Sequence, residues 1–120
     1  MCATHGRPPR VLLGNLEPML RLGMSRLLSE RGLEVTEESS PADVAEAAAA
    51  LEPDAIVLPL DSGESALVGR RARVAAPAAK LILWARDESE MHVYDAGRSE
   101  PRRVAAGTPD ALLNELENSQ

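Results

Sequence analysis

Two short segments of the chain, Ala55-Ile-Val-Leu58 and Lys80-Leu-Ile-Leu-Trp84, are continuously apolar or nearly so. A strand with one wet face alternates apolar and polar residues, so an unbroken apolar run of strand length needs cover on both faces. That requirement calls for a sheet with helices packed on either side. The intervening sequence supplies them. Pro18 to Arg31 carries Met19, Leu20, Gly23, Met24, Leu27 and Leu28 along one helical stripe, with Pro18 at an early helical position and Gly32 placed for a left-handed C-cap.

The remaining segments continue the alternation. Arg10–Gly14 is a brief apolar strand, and Leu33–Glu37 alternates as an edge strand does. Ser39-Ser40-Pro41-Ala-Asp43 starts an Ala-rich helix that Glu52-Pro53 stops after Leu51, because a residue before Pro disfavours the α region. A turn at Asp61-Ser-Gly63 leads into a helix ending near Pro77. Glu88 to Ala96 is expected as a short helix closed by Gly97, Arg102–Ala106 as a weaker strand, and Asp110–Glu117 as a last helix opened by Pro109. Five strand–helix repeats with short connections predict an α/β fold built on a parallel sheet covered on both faces, with the two most apolar strands central.

At 120 residues the chain fits one domain of ordinary size. Residues 1–8 read as a flexible tail, 9–117 as the domain and 118–120 as a tail or the start of a linker. The chain either stands alone or is the N-terminal part of a longer protein. With 19 acidic against 13 basic residues, a net charge of −6 argues against gripping phosphate backbones through bulk charge. One Trp, one Tyr and no Phe leave no base-stacking platform. The single Cys2 removes disulfides and Cys-rich zinc sites, which points to a reducing cytoplasm. No stretch reaches the ~20 apolar residues of a membrane span, and residues 1–10 lack the apolar core of a secretory signal. His5, His92 and Cys2 are too dispersed for a metal site, so no metal or cofactor is expected.

From Arg10 to Leu28 the run Arg-Val-Leu-Leu-Gly-Asn-Leu-Glu-Pro-Met-Leu-Arg-Leu-Gly-Met-Ser-Arg-Leu-Leu resembles the opening of a response-regulator receiver domain of the NarL/LuxR type. Glu52-Pro-Asp-Ala-Ile-Val-Leu58 and Ala79-Lys-Leu-Ile-Leu83 are similar to that family's third and fourth strands; Asp95-Ala-Gly97 and Thr108-Pro-Asp-Ala-Leu-Leu113 are similar to the end of its fourth helix and the start of its fifth. The likeness spans residues 9–117 and implies a flavodoxin-like (βα)5 sheet of order 2-1-3-4-5.

The resemblance also implies a chemistry, and the residues depart from it. The acidic pair that binds Mg²⁺ in receivers is replaced by Asn15 and Leu16, and Leu16 has no oxygen for a hard cation. The phosphoacceptor Asp aligns with Pro59, the Ser/Thr of the fourth strand with Ala85, and the Lys of the fifth with Ala105 or Val104. Phosphoryl transfer to aspartate needs a nucleophile, a metal and donors on the transferred oxygens. These positions supply none of them as a set. The reading is a pseudo-receiver, with Asp61 a turn initiator in preference to a displaced acceptor.

The leading expectation is therefore a phosphorylation-independent regulatory domain, not an enzyme, acting in transcriptional control by homodimerising or by binding another regulator. In this family the fourth helix, fifth strand and fifth helix pair with partners, which marks His92, Tyr94, Arg102, Arg103, Leu112 and Glu115 as a candidate interface. On that expectation, Arg102 and Arg103 meet Glu88, Glu90, Asp95 and Glu115 across a two-fold axis. The alternative is a small-molecule sensor with a metabolite in the vacated crevice at the strand ends, lined by Gly14, Asn15, Pro59, Asp61 and Trp84. Trp84 itself reads as a packing residue. Arg70, Arg71 and Arg73, like Arg98, Arg102 and Arg103, read as runs on solvated faces.

Overall fold

The computed structural model describes residues 9–14, 16–38, 40–60, 63–84, 90–98, 100–105 and 109–117. Its strands are β1 (Arg10–Gly14), β2 (Glu34–Glu38), β3 (Ala55–Pro59), β4 (Lys80–Trp84), β5 (Glu90–Tyr94) and β6 (Arg102–Ala105). Its helices are α1 (Pro18–Glu30), α2 (Pro41–Leu51), α3 (Glu64–Ala75) and α4 (Pro109–Glu117). They form an α/β fold around a single mixed sheet of order β2-β1-β3-β4-β5-β6.

The first four strands are parallel, with β3 and β4 inside the sheet and the alternating β2 at its edge. Leu12, Val44, Ile56, Leu58, Leu81 and Leu83 pack with α2 and α3 on one face. Leu13, Met24, Leu28, Val57, Ile82, Val93 and Leu116 pack with α1 and α4 on the other. Both apolar strands are thus covered twice, as their composition requires. At the N-terminal end of the sheet Asp54 ties three strands together. Its carboxylate accepts from the Arg10 N–H (2.8 Å), its N–H donates to Arg10 O (2.8 Å), and its carbonyl accepts from the Lys80 N–H (3.0 Å).

Helix ends follow the local chemistry. Gly32 takes φ 84° beyond α1, with Leu33 N–H on Leu28 O and Gly32 N–H on Ser29 O, a Schellman closure whose Leu28 and Leu33 both enter the core. α2 ends on Glu52 in the left-handed region, φ 48°. Ser40 stands at the N-cap of α2 without a side-chain cap bond; Ser39, the tails 1–8 and 118–120, and the turn residues Asp61 and Ser62 lie outside the described residues.

One expectation is corrected. Glu90–Tyr94 is a strand and not the helix expected over Glu88–Ala96, so the sheet is neither wholly parallel nor a (βα)5 sheet of order 2-1-3-4-5. β5 pairs antiparallel with β4, and β6 antiparallel with β5. The reason is a period of two in Glu-Met-His-Val-Tyr: Met91 and Val93 are fully buried beneath α4, while His92 and Tyr94 turn to the other face. Gly97 takes φ 78° in a turn where Arg98 N–H reaches Asp95 O at 3.0 Å; it closes a hairpin loop and caps no helix. The strand expected fifth is therefore sixth. It runs in the direction of β1–β4, one strand further out.

Candidate functional site

β1, β3 and β4 are parallel and end together, so Gly14, Pro59 and Trp84 meet at the C-terminal edge of the sheet. Pro59 lies opposite Trp84 in register, and Leu60 N–H closes onto Trp84 O at 2.9 Å. Leu16 is buried among the α1 and α4 residues, and Trp84 is half-buried against the same cluster. Trp84 Nε1 is a buried donor without an acceptor among the described residues. Around Gly14 the space is filled: a Cβ there would lie 2.6 Å from Leu58 Cδ2 and 3.0 Å from Val44 Cγ2. Ala105 ends β6, exposed and opposite Glu90. Asn15, Asp61 and Ala85 lie outside the described residues. The side chains of Gly14, Leu16, Pro59, Trp84 and Ala105 carry no carboxylate, hydroxyl or amine, so these five described positions supply neither a nucleophile nor a side-chain ligand for a hard cation.

The six candidate interface residues do not share a surface. His92, Tyr94 and Arg103 lie on the α3 side of the sheet, His92 opposite Arg103 in register. Leu112 is buried among the α1 and α4 residues, and Arg102 and Glu115 meet on that same side.

Near the N-terminal end of β4, Lys80, Asp95, Arg102 and Glu115 pair within the chain. Arg102 donates from Nε to Asp95 Oδ2 at 2.6 Å and from Nη2 to Asp95 Oδ1 at 2.9 Å and Glu115 Oε1 at 3.0 Å. Lys80, buried at the head of β4, donates to Glu115 O at 3.0 Å and to Glu115 Oε1 at 3.2 Å. The hydrogen bonds from Arg102 hold the Asp95 carboxyl below its ordinary value, against the opposing pull of burial. Those from Asp95 and Glu115 raise Arg102 further above its usual range. The network joins β4, the β5–β6 turn, β6 and α4. Its contacts span 7 to 35 residues of sequence, so no local motif announces it.

On the opposite face, α3 and the β5–β6 turn border an open groove of about 550 Å³, with Arg70, Arg73 and Arg98 around Val74, Leu81 and Tyr94. Arg73 donates from Nη2 to Asp95 O at 2.9 Å, and its guanidinium carbon sits 5.6 Å from the Tyr94 ring centre. Two arginine runs that read separately in sequence thus face each other across one groove. The only advance signal was the spacing of Arg70 and Arg73, which puts both on one helix face.

Among the described residues no helix is long and apolar enough to cross a membrane, and no three His, Cys, Asp or Glu side chains cluster as metal ligands do. Compared with protein-family models, with curated proteins and with solved structures, the chain matches none.

Proposed function

We propose that this chain is a receiver-like regulatory domain that works without phosphorylation, through contact with another protein or a second copy, in the control of transcription. The observation that carries the reading is the chemistry of the strand ends. Asn15, Leu16, Pro59, Ala85 and Ala105 align with the positions at which a receiver carries its carboxylates, its hydroxyl and its lysine, and none of the five has a carboxylate, hydroxyl or amine side chain. The parallel order β2-β1-β3-β4, with helices on both faces, supports a flavodoxin-like origin for the first four strands. Without the aspartyl switch the conformation is set by sequence or by a partner.

Incubation with acetyl phosphate and Mg²⁺ followed by intact-mass measurement tests this reading. The expected result is no phosphoryl adduct. An adduct that Asp61→Asn abolishes would overturn it. Light scattering then separates the two modes of contact, a stable dimer against a monomer that waits for another regulator.

A further inference from the structure

β5 has a further consequence for the α3 face. On that face α2 and α3 lie side by side over the parallel strands, and among the described residues no helix follows over β5 and β6. The uncovered strip is bounded by the flank of α3 on one side and by the β5–β6 turn on the other. Its floor is apolar and aromatic, from Leu81 and Tyr94, and Val74 on its rim is 80% exposed.

The charge of this strip is opposite to that of the chain. The protein carries −6, yet Arg70, Arg73 and Arg98 line the groove and, among the described residues, no carboxylate side chain does. Asp95, in the turn that borders the groove, turns its carboxylate to Arg102 and offers its carbonyl to Arg73. Arg73 Nε is a buried donor without an acceptor among the described residues. Arg70 and Arg73 stand one helical turn apart, the spacing at which acids three or four residues apart on a second helix meet them in pairs.

We infer that this groove docks an acidic amphipathic helix of a partner protein, laid beside α3 with its apolar face on Val74 and Tyr94, above the buried Leu81, and its carboxylates on Arg70, Arg73 and Arg98. The inference rests on the reading that the chain works by protein contact, and it names the partner's chemistry. The mode is a helix in a groove, with the apolar face giving affinity and the arginines giving register and salt dependence.

The test uses a labelled synthetic helical peptide with Leu on one face and Glu flanking it, and a matched peptide with Lys in place of each Glu. Anisotropy titrations at low and high salt are run with the wild-type protein and with Arg70→Glu and Arg98→Glu, whose side chains reach solvent and whose folding is checked by circular dichroism. The expected result is binding of the Glu peptide alone, weakened about tenfold or more by each reversal and by salt. Amide shifts on labelled protein should fall on residues of α3, Leu81 and the turn after Tyr94. Equal binding of the Lys peptide, binding that ignores both reversals, or no binding overturns the groove. Shifts confined to another surface overturn the groove and leave protein contact standing, whereas a phosphoryl adduct at Asp61 would remove the pseudo-receiver reading itself. A dimer that Arg98→Glu dissolves would assign the groove to a second copy, and an oligonucleotide bound with the same arginine dependence would assign it to nucleic acid; either overturns the acidic-helix partner.

Discussion

Asp95 holds Arg102 with both carboxylate oxygens, Oδ2 on Nε at 2.6 Å and Oδ1 on Nη2 at 2.9 Å, while its own carbonyl accepts from Arg73 on the other face of the sheet. One residue of a turn therefore fastens β6 on one side and α3 on the other. Both side chains of the pair are well exposed, so geometry and not burial gives the contact its value. Replacing Asp95 by Asn should cost ~0.5–1 kcal/mol, with a coupling to Arg102→Ala of similar size in a double-mutant cycle read by urea unfolding.

The same pair has a signed pH dependence. Asp95 is held below its ordinary value in the folded protein, so its contribution is complete above the unfolded carboxylate range and is lost as pH falls through the folded value. Urea midpoints measured from neutral pH downward should show this component in the wild type and lack it in Asp95→Asn. A midpoint that falls identically in both proteins would remove Asp95 from the acid response.

Lys80 and Glu115 behave differently because Lys80 is only 7% exposed. Glu115→Ala removes the carboxylate shared by Lys80 and Arg102 and leaves a nearly buried ammonium on one carbonyl. The expected cost is ~2–3 kcal/mol, whereas Lys80→Met, which removes the buried charge, should lie within ~1 kcal/mol of wild type.

Two glycines should respond to alanine with opposite signs. At Gly14 the new methyl meets Leu58 and Val44 in a filled core, so Gly14→Ala should destabilise by ~1–3 kcal/mol. Gly23 is exposed in α1 with nothing within 4 Å of a Cβ, and Gly23→Ala should stabilise by ~0.5–1 kcal/mol. Thermal unfolding of the two variants beside the wild type checks both signs.

Glu52 closes α2 at φ 48°, a conformation that costs an L-residue roughly 1–2 kcal/mol. Glu52→Gly should recover part of that, ~0.5–1 kcal/mol after the greater entropy of glycine in the unfolded chain is set against it. An unchanged or lower melting temperature would count against it.

What could be read in advance depended on how far apart the cooperating residues stood. β1, β3, β4 and the edge strand β2 were legible because period and composition are local, and Gly32 and Glu52-Pro53 marked helix ends by their backbone chemistry. Glu90–Tyr94 was misread although its polar–apolar alternation is the signature of a strand, because Gly97 fitted a helix cap equally well. Gly14, Pro59 and Trp84 end the strands β1, β3 and β4, whose bounds follow from local apolar runs. The Asp95–Arg102–Glu115–Lys80 network was not legible as a unit. Lys80 looked like the head of an apolar strand, and its partner lies 35 residues away.

β5 is five residues long, and its two faces do unlike things: Met91 and Val93 complete the core, while His92 and Tyr94 face the side of the groove. Because side chains alternate, a slip of one residue against β4 would exchange those faces entirely. It would put Met91 and Val93 in water and an imidazole and a phenol under α4. Register is therefore the quantity that keeps core and groove apart. A single-residue insertion within β5 would strike the stability and the binding face together, where a substitution in either face strikes only one.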